Sequence, residues 1–166
     1  MPLSITGTAR LFGDDINTDY IISSRRKRES LDPEVLKNYL FETIAPGFAA
    51  SMRAGGILVA GKNFGCGSAM EVAVTAVVGG GIQAVLAQSF ARTYFRNAVN
   101  NGLYPIECDT SQIAEGDVLE VEVGARILVR RARDNHEIEG APIPHDILKI
   151  IDAGGLVPYL RQYSTL

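Results

Sequence analysis

Cysteine and histidine are scarce in this chain: two of each, Cys66, Cys108, His136 and His145, among 166 residues. Two thiols are too few for an iron–sulfur cubane, which takes three or four, so any such centre has to come from another chain. None of the four residues forms the C-x-x-C or H-x-x-x-H pairs of a zinc site, and no metal site is expected. A basic excess is missing too. Sixteen Lys and Arg stand against 19 Asp and Glu, a net charge of -3, which argues against a general nucleic-acid binder. No apolar run reaches the roughly 18 to 20 residues that cross a bilayer. The opening MPLSITGTAR has no signal-peptide core, so a cytoplasmic chain with no membrane partner is expected. No repeat or low-complexity linker divides the sequence. What is abundant is apolar residue, 46% of the total, enough for one sizeable core and a single domain over residues 1–166.

Periodicity and punctuation order the chain. ITGTARLFGDDINTDYII has short apolar stretches broken by Gly-Asp-Asp and Asn-Thr-Asp, which reads as strands joined by tight turns. Asp32 as N-cap, Pro33 at the first helical position and Val35, Leu36, Tyr39 and Leu40 on one face predict a helix. A second short helix is expected after Pro46. GGILVAG (55–61) is an apolar run bounded by glycines, as a strand buried on both faces is, and IQAVLAQ (82–88) repeats that pattern. SAMEVAVTAVVGGG and SFARTYFRNAVNNG follow them as helices ending in glycine. The resulting βαβα unit requires parallel strands with right-handed crossovers. DVLEVEVGARILVRRAR alternates around a Gly turn and predicts a hairpin. PHDILKIIDAGGLVPYLRQY predicts a closing helix and tail.

The loop GKNFGCGSAMEV leaves a buried strand and enters a helix, a place where backbone N–H groups and the helix dipole converge on an anion. It is no standard nucleotide loop, lacking both the third glycine of GxGxxG and a Gly-Lys-Ser/Thr ending. Ser68 and Glu71 together read as an S-x-x-E capping box, which accounts for both without any chemistry. A freestanding hydrolase is disfavoured: there is no G-x-S-x-G elbow, and neither histidine is placed as a base. Arg25, Arg26, Lys27 and Arg28 read either as a solvated loop or as a carboxylate-binding cluster. Asp19 orders a turn or serves a site, and spacing leaves both open.

NTDYII, GKNFGCGSAME and SFARTYFRNAVNNGLYPI, in that order, resemble the small subunits of 3-isopropylmalate dehydratase and homoaconitase, which correspond to the mobile C-terminal domain of aconitase. The resemblance runs from about residue 5 to the final helix. It implies an α/β fold, a single swivelling β/β/α domain with a mixed sheet or partly open barrel and flanking helices. It implies a hydro-lyase complete only with a large subunit that carries a 4Fe-4S cluster, as a heterodimer or heterotetramer, acting on a small hydroxy acid, most simply in leucine biosynthesis. Ser68 matches the family's catalytic serine, which as an alkoxide removes a proton from the carbon next to the hydroxyl-bearing one, while the cluster iron draws off the hydroxyl. Asp19 matches the family's Thr-Asp position beside the active site. Arg25, Arg26, Arg28, Gly67 and Ala69 are the substrate-binding positions implied, Arg28 at the specificity position. Family members usually read Gly-Ser-Ser-Arg-Glu-His where this chain has Gly67, Ser68, Ala69, Met70, Glu71 and Val72. Met70 therefore replaces a carboxylate-binding arginine, and Arg25, Arg26 or Lys27 could take over its task. Alternatives are a homoaconitase or dimethylmalate/citramalate-type dehydratase subunit, and a non-catalytic anion- or RNA-binding module.

Overall fold

The computed structural model describes residues 3–52 and 56–163. The chain opens with strand β1 (Leu3–Leu11), which buries Ile5 and Ala9 on one face. The expected second strand is absent. NTDYII forms a helical turn, α1 (Thr18–Ile21), because the Asn17 side chain accepts the Asp19 amide as an N-cap. The buried residues Thr18, Ile21 and Ile22 follow helical rather than alternating spacing. The basic run is also helical, as α2 (Ser24–Glu29). α3 (Pro33–Leu36) starts as predicted, with Asp32 accepting the Glu34 amide, and passes into a 3-10 turn over Lys37–Tyr39. The helix after Pro46 is the single turn α4 (Phe48–Ser51).

Next come β2 (Ile57–Ala60), α5 (Val72–Gly79), β3 (Ala84–Ala87), α6 (Arg92–Asn100) and β4 (Tyr104–Glu107), the βαβα unit anticipated. Gly55, at the start of the first expected strand, lies outside the described residues. β1, β2, β3 and β4 pair in parallel. On its other side β1 pairs antiparallel with β5 (Val118–Val123), which continues into β6 (Ile127–Arg131) and β7 (His136–Gly140). The predicted hairpin is thus a three-stranded meander. Asn135 turns it at φ 58, and the alternation of HEIEG buries Ile138. Two helices close the chain in place of one, α7 (His145–Asp152) and α8 (Leu156–Tyr163). Gly154 and Gly155, at φ 97 and 126, break the helical ladder between them. A Cβ on Gly155 would stand 2.2 Å from the Asn100 carbonyl oxygen, so only glycine fits.

The strand order is β4-β3-β2-β1-β5-β6-β7. Every residue of β2 and β3 is buried. Leu58, Ala60, Val85 and Ala87 face α5, in one core. Ile57, Val59, Ala84 and Leu86 face a second core shared with Leu119, Val121, Val129, Ile138 and α7. Around this second core the sheet curls until its edges touch. The Ala141 amide donates to the Glu107 carbonyl at 2.8 Å, and a Cβ on Gly140 would sit 3.2 Å from Ile106. The outer face of the antiparallel half carries Glu120, Glu122 and Arg130, as a one-sided sheet does. Among the described residues no helix is long and apolar enough to cross a membrane.

Candidate active site

The loop after β2 is zipped on both sides. Toward the segment after β1, Gly61 donates to the Gly13 carbonyl at 3.1 Å and Lys62 to Asp14 Oδ1 at 2.7 Å. Gly65 then donates to the Ile16 carbonyl, and Thr18 to the Cys66 carbonyl, each at 2.8 Å. Toward the end of β3, the Phe64 amide donates to the Ser89 carbonyl at 3.0 Å, and Ala91 returns a bond to Phe64 at 2.9 Å. Gly65 (φ 83) lies flat on Tyr94, where a Cβ would fall 2.2 Å from the ring. Burial raises the Tyr94 phenol well above its ordinary pKa, and its hydroxyl donates to the Ala73 carbonyl at 3.0 Å. Gly67 (φ 92) lies on Asn17, whose amide nitrogen would be 2.5 Å from a Cβ.

Ser68 sits at the end of this zipper, exposed together with Gly67 and Ala69. Its backbone carbonyl accepts the hydroxyl of buried Thr18 at 2.7 Å, while its own Oγ bonds to nothing among the described residues. The capping box does not form. α5 begins at Val72, four residues beyond Ser68, and neither Ser68 nor Glu71 makes a side-chain cap. The Ser68 carbonyl instead accepts from Thr18, and the first helical bonds start at Met70 and Glu71. The N–H groups of Gly67, Ser68, Ala69, Met70 and Glu71 find no intramolecular acceptor among the described residues. They are donors free to face an anion. Met70 turns inward and is buried against α5, while the loop's charged residues, Lys62 and Glu71, stay exposed toward its two ends.

Across from the loop stands α2. Asp19 Oδ1 accepts the Ser24 amide at 2.8 Å and fixes the start of that helix. Arg26 is committed inward, with Nε and Nη2 bonding both Glu42 oxygens at 3.0 and 3.1 Å and its guanidinium 3.8 Å over the Tyr39 ring. That fork holds the Glu42 carboxyl below its usual range and raises the Arg26 pKa further. An open cleft of about 590 Å³ lies between α2 and the loop, lined by Lys27, Arg28, Glu29, Leu31, Ser68 and Ala69 among others. Ser68, Ala69 and Arg28 thus come together, whereas Arg25 and Arg26 are not on the cleft wall. Sequence reasoning missed Thr18, although it stands in the NTD motif, and Leu31.

An iron–sulfur cluster does not suit this chain's donors. Among the described residues no three His, Cys, Asp or Glu side chains gather as ligands, and burial pushes the Cys108 thiol up to about 12, away from thiolate.

The sheet is parallel on one side of β1 and antiparallel on the other, with a glycine loop at the carboxyl end of β2. Residues 46–111 match the Aconitase C-terminal domain. The chain is similar to 3-isopropylmalate dehydratase small subunit 2 of Archaeoglobus fulgidus, 41% identical over 99% of both chains. It is as similar, at 41%, to the 3-isopropylmalate dehydratase small subunit of Methanosarcina mazei, over 94% of this chain and 96% of that one. A crystal structure of 3-isopropylmalate dehydratase from Methanocaldococcus jannaschii superposes with a TM-score of 0.89 at 39% identity, covering 96% of this chain and 95% of that chain. The chain belongs to the family of 3-isopropylmalate dehydratase small subunits.

Proposed function

We infer that this chain is the proton-handling half of a 3-isopropylmalate dehydratase of leucine biosynthesis, in a complex with a large subunit. Ser68 Oγ takes the proton from the carbon adjacent to the one bearing hydroxyl. The C–H electron pair becomes the second bond of an alkene as the C–O bond breaks and hydroxide leaves, so that the proton taken by Ser68 and the hydroxide together make up the water lost. Re-addition of water with the proton returned to the other carbon completes the isomerisation. The unpaired N–H groups around Ser68 supply what an alkoxide needs, since oriented backbone donors stabilise an anion without reorganising. Asp19 acts at one remove, holding the basic helix in place rather than touching substrate. A 4Fe-4S cluster on the large subunit would supply Lewis acidity toward the departing hydroxyl. The assembly works in the cytoplasm.

The observation that carries this reading is the combination at Ser68 of a pinned carbonyl and an unengaged hydroxyl on the wall of an open cleft. A homoaconitase-type subunit and an RNA-binding module are not favoured by the relatives. The test is reconstitution. Purified chain plus a cluster-loaded large subunit should interconvert 2- and 3-isopropylmalate, followed by ultraviolet absorbance of the unsaturated intermediate. Turnover by the chain alone, or none by the complex, would overturn it.

A further inference from the structure

We propose that Lys27 is the carboxylate-binding residue of the cleft, its ammonium receiving one carboxylate of a 2-hydroxy dicarboxylate whose proton Ser68 handles. The proposal rests on the dehydratase reading and adds to it the residue that recognises the substrate's charge.

The cleft wall carries two cations, Lys27 and Arg28, and a single acid, Glu29, among the described residues. Glu29 is already engaged, with one carboxylate oxygen 3.3 Å from Arg26 Nη1. Lys27 and Arg28 form no ion pair among the described residues. Two cations against one acid leave the cleft wall net positive, which suits a carboxylate. The opposite wall cannot supply positive charge, because Ser68, Ala69 and the largely buried Met70 that line it are all uncharged.

Lys27 also stands on prepared ground. Asp19 fixes the first amide of α2, and the neighbouring Arg26 anchors the helix to Glu42 and Tyr39, so only the lysine stem must be ordered on binding. A lysine ammonium is a compact charge with three rotatable donors and accepts a carboxylate from several directions. Lys27 thus reads the charge common to every diacid. Arg28, with Leu31 beside it at 65% exposure, borders the part of the substrate that varies.

A contact made equally in ground and transition states raises KM when lost and leaves kcat. In the reconstituted complex, Lys27→Met should raise KM for 3-isopropylmalate by roughly 10- to 100-fold, the scale of one charge-assisted contact, with kcat within a few-fold. Lys27→Arg should recover most of the loss. Calorimetric titration of the same complexes with isopropylsuccinate, which lacks the hydroxyl and cannot react, should weaken by a similar factor in Lys27→Met. The monomethyl ester that masks the carboxylate held by Lys27 should bind the variant and the unaltered complex alike, while its regioisomer should still discriminate them. Equal isopropylsuccinate affinity in both, or a kcat loss with unchanged KM, would overturn the proposal. A complex without turnover that still loses isopropylsuccinate binding on Lys27→Met would sink the dehydratase reading and leave the lysine's role standing.

Discussion

Replacing Thr18 by valine removes one hydroxyl that lies outside the cleft and touches the chemistry only through the Ser68 backbone. The bond at stake runs 2.7 Å from Thr18 Oγ1 to the Ser68 carbonyl. Such a bond contributes about 1 kcal/mol net. Thr18 is only 2% exposed, but Ser68 is open, so water can meet the freed carbonyl and little further penalty is incurred. The backbone bond from Thr18 to the Cys66 carbonyl survives. Thermal unfolding of the isolated chain should therefore shift down by only about 2–4 °C. Turnover should suffer far more. With the carbonyl released the loop can relax, and a displacement of about 1 Å at a reacting atom costs on the order of 100-fold. In the reconstituted complex we expect kcat to fall roughly 10- to 100-fold with KM little changed. Thr18→Ser, which keeps the hydroxyl, should restore most of kcat. A Thr18→Val complex that keeps its kcat within a few-fold, or a Thr18→Ser complex as impaired as the valine, would refute the idea that this bond positions the serine.

Ser68→Ala should abolish nearly all turnover while shifting stability by less than about 0.5 kcal/mol, because the hydroxyl caps nothing; a drop near 1 kcal/mol on denaturant titration would mean a cap after all. Gly67→Ala forces a Cβ onto Asn17 at positive φ and should cost about 1–3 kcal/mol, read by the urea midpoint. Arg26→Ala should destabilise the chain at neutral pH and progressively less in acid. The Glu42 carboxyl is depressed in the folded state, so its pair with Arg26 stabilises above the ordinary carboxylate range and is lost as pH falls through the folded value. Urea midpoints at neutral and strongly acid pH check this, and a pH-independent difference would count against it. Arg28→Ala should reorder a panel of isopropylmalate, homocitrate, citramalate and dimethylmalate with little change in melting temperature, and an unchanged order would remove its specificity role.

Much of the fold was legible because the parallel half announces itself: β2 and β3 are buried on both faces, so unbroken apolar runs mark them. β7 was missed because HEIEG buries only Ile138 and Gly140, too few apolar side chains to show alternation. α1 was misread as strand since a four-residue helix shows barely one period, and its decisive signal is the Asn17 cap. The serine stood out by motif, but the capping box misled, because S-x-x-E does not say where the helix starts, and α5 begins only at Val72. Nor could the run of four cations reveal which faces the cleft. That depends on Glu42 and Tyr39, distant in sequence, drawing Arg26 inward.

The single hydrogen bond between Ala141 and Glu107 where the curled sheet meets itself has a consequence for life before assembly. An open seven-stranded sheet presents two unpaired borders, each a template for a stray strand from another molecule. Here the two borders meet at that bond, just past the end of β7, so this corner of the sheet is closed to a stray strand while the subunit awaits its companion. Prising that seam apart, for instance with a bulky side chain at Gly140, should show itself first as self-association rather than as lost activity.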